Sequence, residues 1–536
     1  MRINRFKYAE WATAISLTLL VLFLLIVRAK HAGALWRDEC AVLQLAEMPK
    51  IGEIFANFQR ESFPVVFPLT VRAYAAIFGT SDAAFRAFGA VVGVLLLLVC
   101  WINSRLLTNS PPLMSLALLG LNATFLIWGT SVRGYGIGSV LILLAFGSLT
   151  KMLTAPTISR IIAAGLACVA SVQFLLFNSV LLMAIGIAVI TVCLIRRKGR
   201  PAIAIASIGA GCLVSILPYV WPFWNESRST VVFQGPVDLG WFWDQLSLAF
   251  GDPVHVMVGL WVGSFAVVIF AAAGRLYVTW SNKPLPEWDL LLFGSITSIA
   301  SIVAYFVFLK AVSYRTREWY YLALLAILAG GIDLVAANLS SIRWVRVARL
   351  TFVIATLIGM PFADWPKITE RQTNLDFVAR NLEEVAQPRD LIVGNPWFFG
   401  ITLNWYYHGA TPWVTLPTMN DHTVHRFDLV KAKMLSSAPL DDLLDMIGGT
   451  LRAGNRVWFV GGVRLLPPDR VAVVLPPAPN SEFGWSCDAY AESWSQQLGI
   501  FLREHALTEE FVRVPTDGPV NELENVPLLL VRGWRE

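Results

Sequence analysis

The sequence has little charge for its length. Only 15% of its 536 residues are Asp, Glu, Lys or Arg, whereas soluble domains carry about a quarter. Hydrophobic residues make up 56% of the chain, and the net charge is only +5. No basic block of the kind that would indicate a nucleic-acid partner is present. This composition indicates a protein whose main partner is a lipid bilayer.

Several motifs that would indicate other chemistry are also missing. The six cysteines include no CxxC pair, so neither a zinc site nor a disulfide framework is predicted. No glycine-rich nucleotide fingerprint follows any predicted strand. His422 and His425 have the spacing of a metal pair, but no third ligand can be placed, and surface histidines are common. We therefore predict no metal-ligating residues, although a divalent cation is left open as a cofactor.

Long apolar runs dominate the first two thirds of the chain. A run of about 20 mainly apolar residues crosses the roughly 30 Å of a bilayer's hydrocarbon core. Eleven runs approach this length, and they predict a polytopic α-helical membrane protein with about 11 transmembrane helices. They lie near residues 10–28, 84–104, 112–130, 134–151, 158–175, 178–195, 201–221, 254–273, 288–309, 319–337 and 346–362.

The positions of basic residues predict an orientation. Alternate connections hold most of them, including the run RRKGR at 196–200, and basic loops remain cytoplasmic. This places the N-terminus in the cytoplasm, and loop 29–83 and turn 310–318 on the outer face. The predicted location is the bacterial inner membrane. Residues 1–362 form the predicted membrane domain.

The remainder, residues 363–536, contains no spanning run. Helical and strand-like segments alternate there, as in DDLLDMIGGTLRAG followed by RVWFVGG, and ESWSQQLGIFLREHA followed later by VPLLLVRGW. Such alternation is typical of a small α/β domain, and about 170 residues is an ordinary domain size. We predict an extracytoplasmic C-terminal α/β domain.

Charged side chains at the ends of the apolar runs are the candidates for chemistry, because a charge at mid-membrane costs about 2.5–3.5 kcal/mol on insertion scales. The stretch LWRDECAVLQLA, residues 35–46, carries two adjacent carboxylates directly after the first run. Basic residues and one tyrosine lie in predicted outer connections, where the positive-inside rule expects few cations. The candidate catalytic residues are Asp38 and Glu39, and the candidate binding residues are Arg37, Arg133, Tyr135, Lys310, Arg315 and Arg317.

Two interpretations of this set follow from the residues alone. In the first, the arginines bind a lipid phosphate through their forked donors, and a carboxylate removes a proton from an attacking hydroxyl. In the second, Asp38 and Glu39 are solvated helix-end charges paired with Arg37.

The order of motifs along residues 10–362 resembles the GT-C glycosyltransferases of the protein O-mannosyltransferase type, which include lipid A aminoarabinose transferases and rhizobial galacturonosyl transferases. The resemblance rests on an ordered set of motifs rather than on any single one. In order, these are Trp36 to Glu39 in the first outer loop, FPVVFPLTVRAYAAIFG at 63–79, SDAAFR at 81–86, RGYGI at 133–137 and TREWYYLALLAILAG at 316–330.

The resemblance implies an inverting sugar transferase. The donor would be a polyprenyl-phosphate sugar, and the acceptor a hydroxyl of a lipid, glycan or protein on the outer face. Asp38 would be the general base or would orient the acceptor, while Glu39 would support the loop or bind the sugar. Arg133, Arg315 and Arg317 would hold the donor phosphate.

Two other functions remain open. A flippase or transporter for lipid-linked sugars would also carry polar groups in membrane helices, although such proteins often contain internal repeats, which this sequence lacks. A non-catalytic partner of the same fold in envelope polysaccharide synthesis is the other alternative. It stays open because Ser131 occupies a position that is acidic in many members of the family.

Overall fold

The structure is a computed structural model that describes residues 2–58, 61, 63–227, 235–251, 255–280, 287–363 and 365–536. Residues 59, 60 and 62 of the predicted outer loop 29–83 lie outside the described residues. The chain divides into two compact units. The first comprises Met1–His31, Ser62–Val220 and Gly235–Thr369, and the second comprises Ala32–Glu61, Trp221–Gln234 and Glu370–Glu536. The segment with Asp38 and Glu39 thus belongs to the same unit as the C-terminal region.

The first unit is helical. Eight stretches among the described residues are long and apolar enough to cross a membrane: Phe6–His31, Asp82–Leu107, Gly134–Thr154, Asn178–Arg196, Gly199–Pro222, Val256–Val278, Glu287–Val312 and Glu318–Asn338. The α-helices of this unit and of the segment that leaves it are Arg2–His31, Val66–Phe78, Asp82–Leu107, Leu113–Ser115, Gly134–Thr154, Ile158–Phe174, Asn178–Arg196, Gly199–Ile216, Val220–Ser227, Leu239–Phe250, Val256–Trp280, Glu287–Val312, Leu322–Asn338, Arg343–Ala363 and Trp365–Ile368. The polytopic helical class predicted from the sequence is confirmed.

Three of the eleven predicted runs are not among the eight helices that are long and apolar enough to cross a membrane. Run 112–130 is broken into the π-helical segments Leu116–Gly120 and Phe125–Gly129. The break lies at the buried Asn122, whose Oδ1 accepts a hydrogen bond from the Phe125 N–H (3.0 Å). Run 158–175 forms a helix of only 17 residues, Ile158–Phe174. Run 346–362 lies in the helix Arg343–Ala363. This helix carries the buried Arg349, whose Nη1 lies 3.1 Å from Glu10 Oε1.

Close helix packing in the first unit depends on glycine at Gly136, in the RGYGI motif. A Cβ atom there would lie 1.7 Å from the backbone oxygen of Gly129, and backbone cannot move aside as a side chain can. We expect Gly136→Ala to destabilise the protein by about 2 kcal/mol or more, because it overpacks a close contact. Gly211→Ala is the matched control, since a Cβ atom at that helical glycine meets no atom within 4 Å.

The melting temperature in detergent checks this prediction. Gly136→Ala should melt several degrees below the wild-type protein, whereas Gly211→Ala should melt at or slightly above it, because alanine favours helix more than glycine does. Equal melting temperatures for the two variants would contradict the packing argument.

The second unit contains a five-stranded sheet with helices on both faces. Its strands are β1 (Leu391–Gly394), β2 (Trp413–Thr415), β3 (Val457–Val460), β4 (Ala506–Val512) and β5 (Leu528–Trp534), in the order β2-β1-β3-β5-β4. Strands β2, β1 and β3 are parallel, while β5 and β4 are antiparallel to their neighbours. The helices are Arg37–Glu47, Ile51–Ala56, Leu375–Val385, Phe399–Tyr406, Phe427–Leu435, Asp441–Arg452 and Cys487–His505. The predicted α/β class is confirmed.

Alternation along the central strands builds two cores. Val457 and Phe459 of β3 belong to one buried cluster, whereas Trp458 and Val460 belong to the other. Strands buried on both faces read as continuous apolar sequence, as VWFV does here. Since β1, β2 and β3 run in parallel, their carboxyl ends lie along one edge of the sheet, the usual position of binding sites in open α/β sheets.

Candidate functional site

Glu39 has a structural position at the start of the helix Arg37–Glu47. Its Oε2 accepts a hydrogen bond from the Trp36 N–H (3.2 Å), and its side chain is fully buried. The backbone N–H groups of a helix's first turn lack intrahelical partners, and a carboxylate placed there satisfies one of them and suits the helix dipole. The second carboxylate of the motif therefore stabilises the backbone that carries the first.

Arg37 lies between two carboxylates. Its backbone N–H donates to Glu524 Oε1 (3.0 Å), and its Nη1 lies 3.6 Å from the same oxygen. Its Nε lies 3.5 Å from Asp38 Oδ1. The guanidinium also lies 4.5 Å from the ring centroid of Phe398, which adds a cation–π contact. These contacts connect the first motif of the chain with a residue almost 500 positions later.

Glu524 is almost wholly buried, and burial raises the pKa of its carboxyl to about 7, although the Arg37 cation opposes this shift. The loss of hydration thus outweighs the attraction of one nearby cation. Near neutral pH the carboxyl is partly protonated, so the charge beside Arg37 varies with pH.

Asp38 is partly exposed, with 15% of its side chain accessible. Besides Arg37, its Oδ1 approaches His425, whose Nε2 lies 3.4 Å away. A carboxylate that is accessible, next to a fixed cation and next to an imidazole, has the surroundings of a group that exchanges protons.

The helix Arg37–Glu47 is fixed by packing on the helix Phe399–Tyr406. Gln44 Nε2 donates to the Ile401 carbonyl (3.2 Å), and Asn404 donates to the Gln44 side chain. The Leu35 N–H donates to the Tyr406 hydroxyl (2.7 Å). Because the helix Phe399–Tyr406 directly follows β1, these contacts place Asp38 beside the loops at the carboxyl edge of the parallel strands.

In the first unit, the candidate binding residues lie around an aromatic cluster. Arg133 is buried, and its guanidinium lies 5.2 Å from the Phe63 ring centroid and 5.8 Å from that of Tyr135. Tyr135 in turn contacts Tyr320 edge to face, with ring centroids 5.1 Å apart. The RGYGI and TREWYYL motifs, far apart in sequence, are therefore in direct contact within this unit.

The other basic candidates are exposed, either in the last turn of the helix Glu287–Val312 or on its connection to the helix Leu322–Asn338. These are Lys310, Arg315 and Arg317. Arg315 stacks over Trp241 at 4.9 Å, and the backbone of Gly235 passes so close to its guanidinium that a Cβ atom there would lie 2.6 Å from Nε. The Tyr314 and Tyr320 hydroxyls are hydrogen-bonded to each other (3.0 Å). This region thus presents three exposed cations near two half-buried tyrosines.

Two groups at the Asp38 site were not among the residues expected from the sequence. Glu524 lies in NELENVP, and nothing in that stretch indicates a partner for an arginine at position 37. His425 was considered only as a metal ligand. Its neighbour His422 instead packs against Trp413 at 4.6 Å, and burial lowers the pKa of His422 to about 4. Among the described residues, no group of three His, Cys, Asp or Glu side chains could hold a metal ion.

Comparison with solved structures identifies the architecture. ArnT from Cupriavidus metallidurans in the apo state superposes with a TM-score of 0.55 at 12% identity, covering 98% of this chain and 98% of that one. The chain has the GT-C fold. The same ArnT bound to undecaprenyl phosphate gives a TM-score of 0.50 at 13% identity, with 96% and 97% coverage.

A more distant GT-C protein gives the same result. The Archaeoglobus fulgidus oligosaccharyltransferase, tethered with an acceptor peptide, gives a TM-score of 0.50 at 10% identity and covers 96% of this chain and 75% of that one. No protein-family model and no curated protein matches the chain. The GT-C resemblance predicted from the motifs is therefore confirmed at the level of fold, by similarity of structure rather than of sequence.

Proposed function

We propose that this protein is an integral membrane glycosyltransferase that transfers a sugar from a polyprenyl-phosphate donor to a hydroxyl group of a lipid, glycan or protein. The observation that carries the proposal is Asp38, a partly exposed carboxylate held between Arg37 and His425 in a chain with the GT-C fold. One structural neighbour was solved with undecaprenyl phosphate and another with an acceptor peptide, which supports a lipid-linked donor and a separate acceptor.

The proposed reaction assigns proton removal to Asp38. The acceptor oxygen gives its proton to the Asp38 carboxylate and attacks the anomeric carbon of the sugar. The bond between that carbon and the phosphate oxygen breaks, and polyprenyl phosphate leaves with the bonding electrons. A single displacement of this kind inverts the anomeric configuration. Glu39 holds the backbone of the motif, and Arg37 orients the Asp38 carboxylate.

The leaving phosphate gains negative charge during this step and needs cations that are already in place. We assign this role to Arg133, Arg315 and Arg317, with Lys310 as a further cation and Tyr135 supporting Arg133. Guanidinium groups bind phosphate oxygens through paired donors, which a lysine cannot do. The contacts of Arg133 with Phe63 and Tyr135 and of Arg315 with Trp241 support their role as ordered groups.

The proposed location is the inner membrane, with the second unit on its outer side. This orientation rests on the distribution of basic residues, because the run RRKGR at 196–200 would then face the cytoplasm. Cysteine labelling with a membrane-impermeant reagent tests it directly. A cysteine introduced at the exposed Val471 should react from the outside of intact cells.

The activity test uses the purified full-length protein in detergent with a panel of polyprenyl-phosphate sugars and crude envelope acceptors. Mass spectrometry follows the release of free polyprenyl phosphate and the mass added to the acceptor. Release with at least one donor supports the proposal and identifies the sugar. Binding of donors without release would contradict it, and movement of the lipid across reconstituted vesicles would then indicate a flippase.

A further inference from the structure

We propose that His425 is a positioning residue for the proposed base: its Nε2 holds the Asp38 carboxylate in the orientation that receives the acceptor's proton. This inference rests on the proposed function, since it assigns a role within that reaction. It concerns a residue of the C-terminal region, about 390 positions after Asp38.

The first argument is the geometry of the pair. Nε2 of His425 lies 3.4 Å from Oδ1 of Asp38, and both side chains are about 85% buried. A carboxylate on a short side chain can rotate about its two side-chain torsions, so one contact does not fix it. Arg37 Nε approaches the same oxygen at 3.5 Å. Two nitrogens close to one oxygen restrict that rotation, as a third group does for the base of a nucleophile–base pair.

The second argument is that the imidazole is itself fixed. Its ring stacks on Phe427, with centroids 5.7 Å apart and planes 14° apart, and it meets the buried Trp397 edge to face at 6.1 Å. Stacking on two aromatic neighbours limits rotation of the ring. A fixed imidazole can therefore fix the orientation of the Asp38 carboxylate.

The third argument is that the loop carrying His425 is anchored next to it. Arg426 donates from Nε and Nη2 to the two oxygens of Asp428 (2.9 and 2.7 Å), and its Nη1 is paired with Asp421. Hydrogen bonds from Thr423 and Arg426 lower the pKa of the Asp421 carboxyl, and those from Arg426 lower the pKa of the Asp428 carboxyl, in both cases against the opposing effect of burial, so both carboxylates remain charged at neutral pH. Arg426, the residue after His425, is thus held by two carboxylates.

The same position explains why histidine suits the site. The Asp38 carboxylate lies at the carboxyl edge of the parallel strands, where the loops after β1 and β2 supply Trp397 and His425. A contact from this edge joins Asp38 to the loops of the sheet as well as to its own helix. An imidazole N–H that faces the ionised carboxylate also favours its charged form, which keeps the base available for the proton.

Two substitutions separate the effect of the His425 ring nitrogen from that of its planar ring. His425→Phe keeps a planar ring between Phe427 and Trp397 but removes the nitrogen, whereas His425→Gln restores a nitrogen donor at a similar reach. We expect His425→Phe to lower kcat about 10- to 100-fold, the effect of losing one polar contact to a charged group, with the KM for the polyprenyl-phosphate sugar unchanged within about twofold. His425→Gln should recover most of that loss.

The pH profile provides a readout that a purely structural role would not change. Without the nitrogen of residue 425, the ionised form of Asp38 is less favoured. The acidic limb of the kcat/KM profile should therefore move to higher pH in His425→Phe and should return to the wild-type position in His425→Gln. Melting temperatures and size-exclusion profiles show that each variant is folded. If the Phe variant is unstable, the Gln variant compared with His425→Leu gives the same comparison.

The outcomes distinguish the inference from the function on which it rests. Wild-type activity that is lost in Asp38→Asn, with kcat and pH profile unchanged in His425→Phe, would overturn the inference and leave the proposed function intact. A wild-type protein that releases no polyprenyl phosphate from any donor would contradict the proposed function. A double-mutant cycle on melting temperature for Asp38→Asn and His425→Phe then reports on the contact alone, and additive effects would overturn the pairing.

Discussion

Replacement of Asp38 by asparagine is expected to lower kcat for release of polyprenyl phosphate by about 10²- to 10⁴-fold, the usual contribution of a general base. Asparagine has nearly the same shape and can still contact Arg37 and His425 through its side-chain oxygen, but its amide does not take up a proton at neutral pH. The KM for the donor should change little, because the proposed donor contacts involve other residues. Mass spectrometry of released lipid measures both parameters.

Two further variants show whether the effect is specific. Asp442→Asn removes a carboxylate of the same unit that pairs with Lys433 at 2.9 Å, and it should retain wild-type kcat. Glu39→Gln keeps an oxygen to accept the hydrogen bond from the Trp36 N–H, so this variant should lower kcat by less than about tenfold. Full activity in Asp38→Asn would show that Asp38 is not the general base. If Glu39→Gln lowered kcat as much as Asp38→Asn does, Glu39 would take that role.

The broad architecture was predictable because it depends on local patterns. Apolar runs of spanning length identified the membrane helices, and the failures have local causes, such as the buried Asn122 within run 112–130. Alternating helix and strand patterns likewise predicted the sheet that contains β3 and β5. The order of weak motifs predicted the GT-C fold, although the ArnT and oligosaccharyltransferase structures named above share only 10–13% identity with this chain.

The contacts of the candidate site were less predictable, because they join distant segments. Trp36 to Glu39 could be selected from their position after the first run, and Glu39 even fits a helix start. Glu524 could not, since a glutamate in a short turn is almost always exposed and solvated. His425 could have been placed near the carboxyl edge of β2 from the strand pattern, but only the fold brings residues 37 and 38 to that edge.

Glu524→Gln is expected to make the protein more stable than the wild type by about 3 kcal/mol at pH 8 and by less than about 1 kcal/mol at pH 5. The pKa of the buried Glu524 is raised from 4.5 to about 7, so its ionised form is less favourable in the folded protein than in the unfolded chain. The penalty is absent below pH 4.5, grows as the pH rises towards 7 and is complete above that. At about 1.4 kcal/mol per pH unit, it amounts to about 3 kcal/mol.

Glutamine can still accept the hydrogen bond from the Arg37 N–H, and it never ionises, so the variant should lose this pH dependence. The measurement is the melting temperature of both proteins in detergent between pH 5 and 8, where the wild type should fall by several degrees relative to the variant. Glu522→Gln, two residues earlier and exposed, is the control and should follow the wild type. If the attraction of Arg37 outweighed the loss of hydration, the order would be reversed, and Glu524→Gln would be the less stable protein at pH 8.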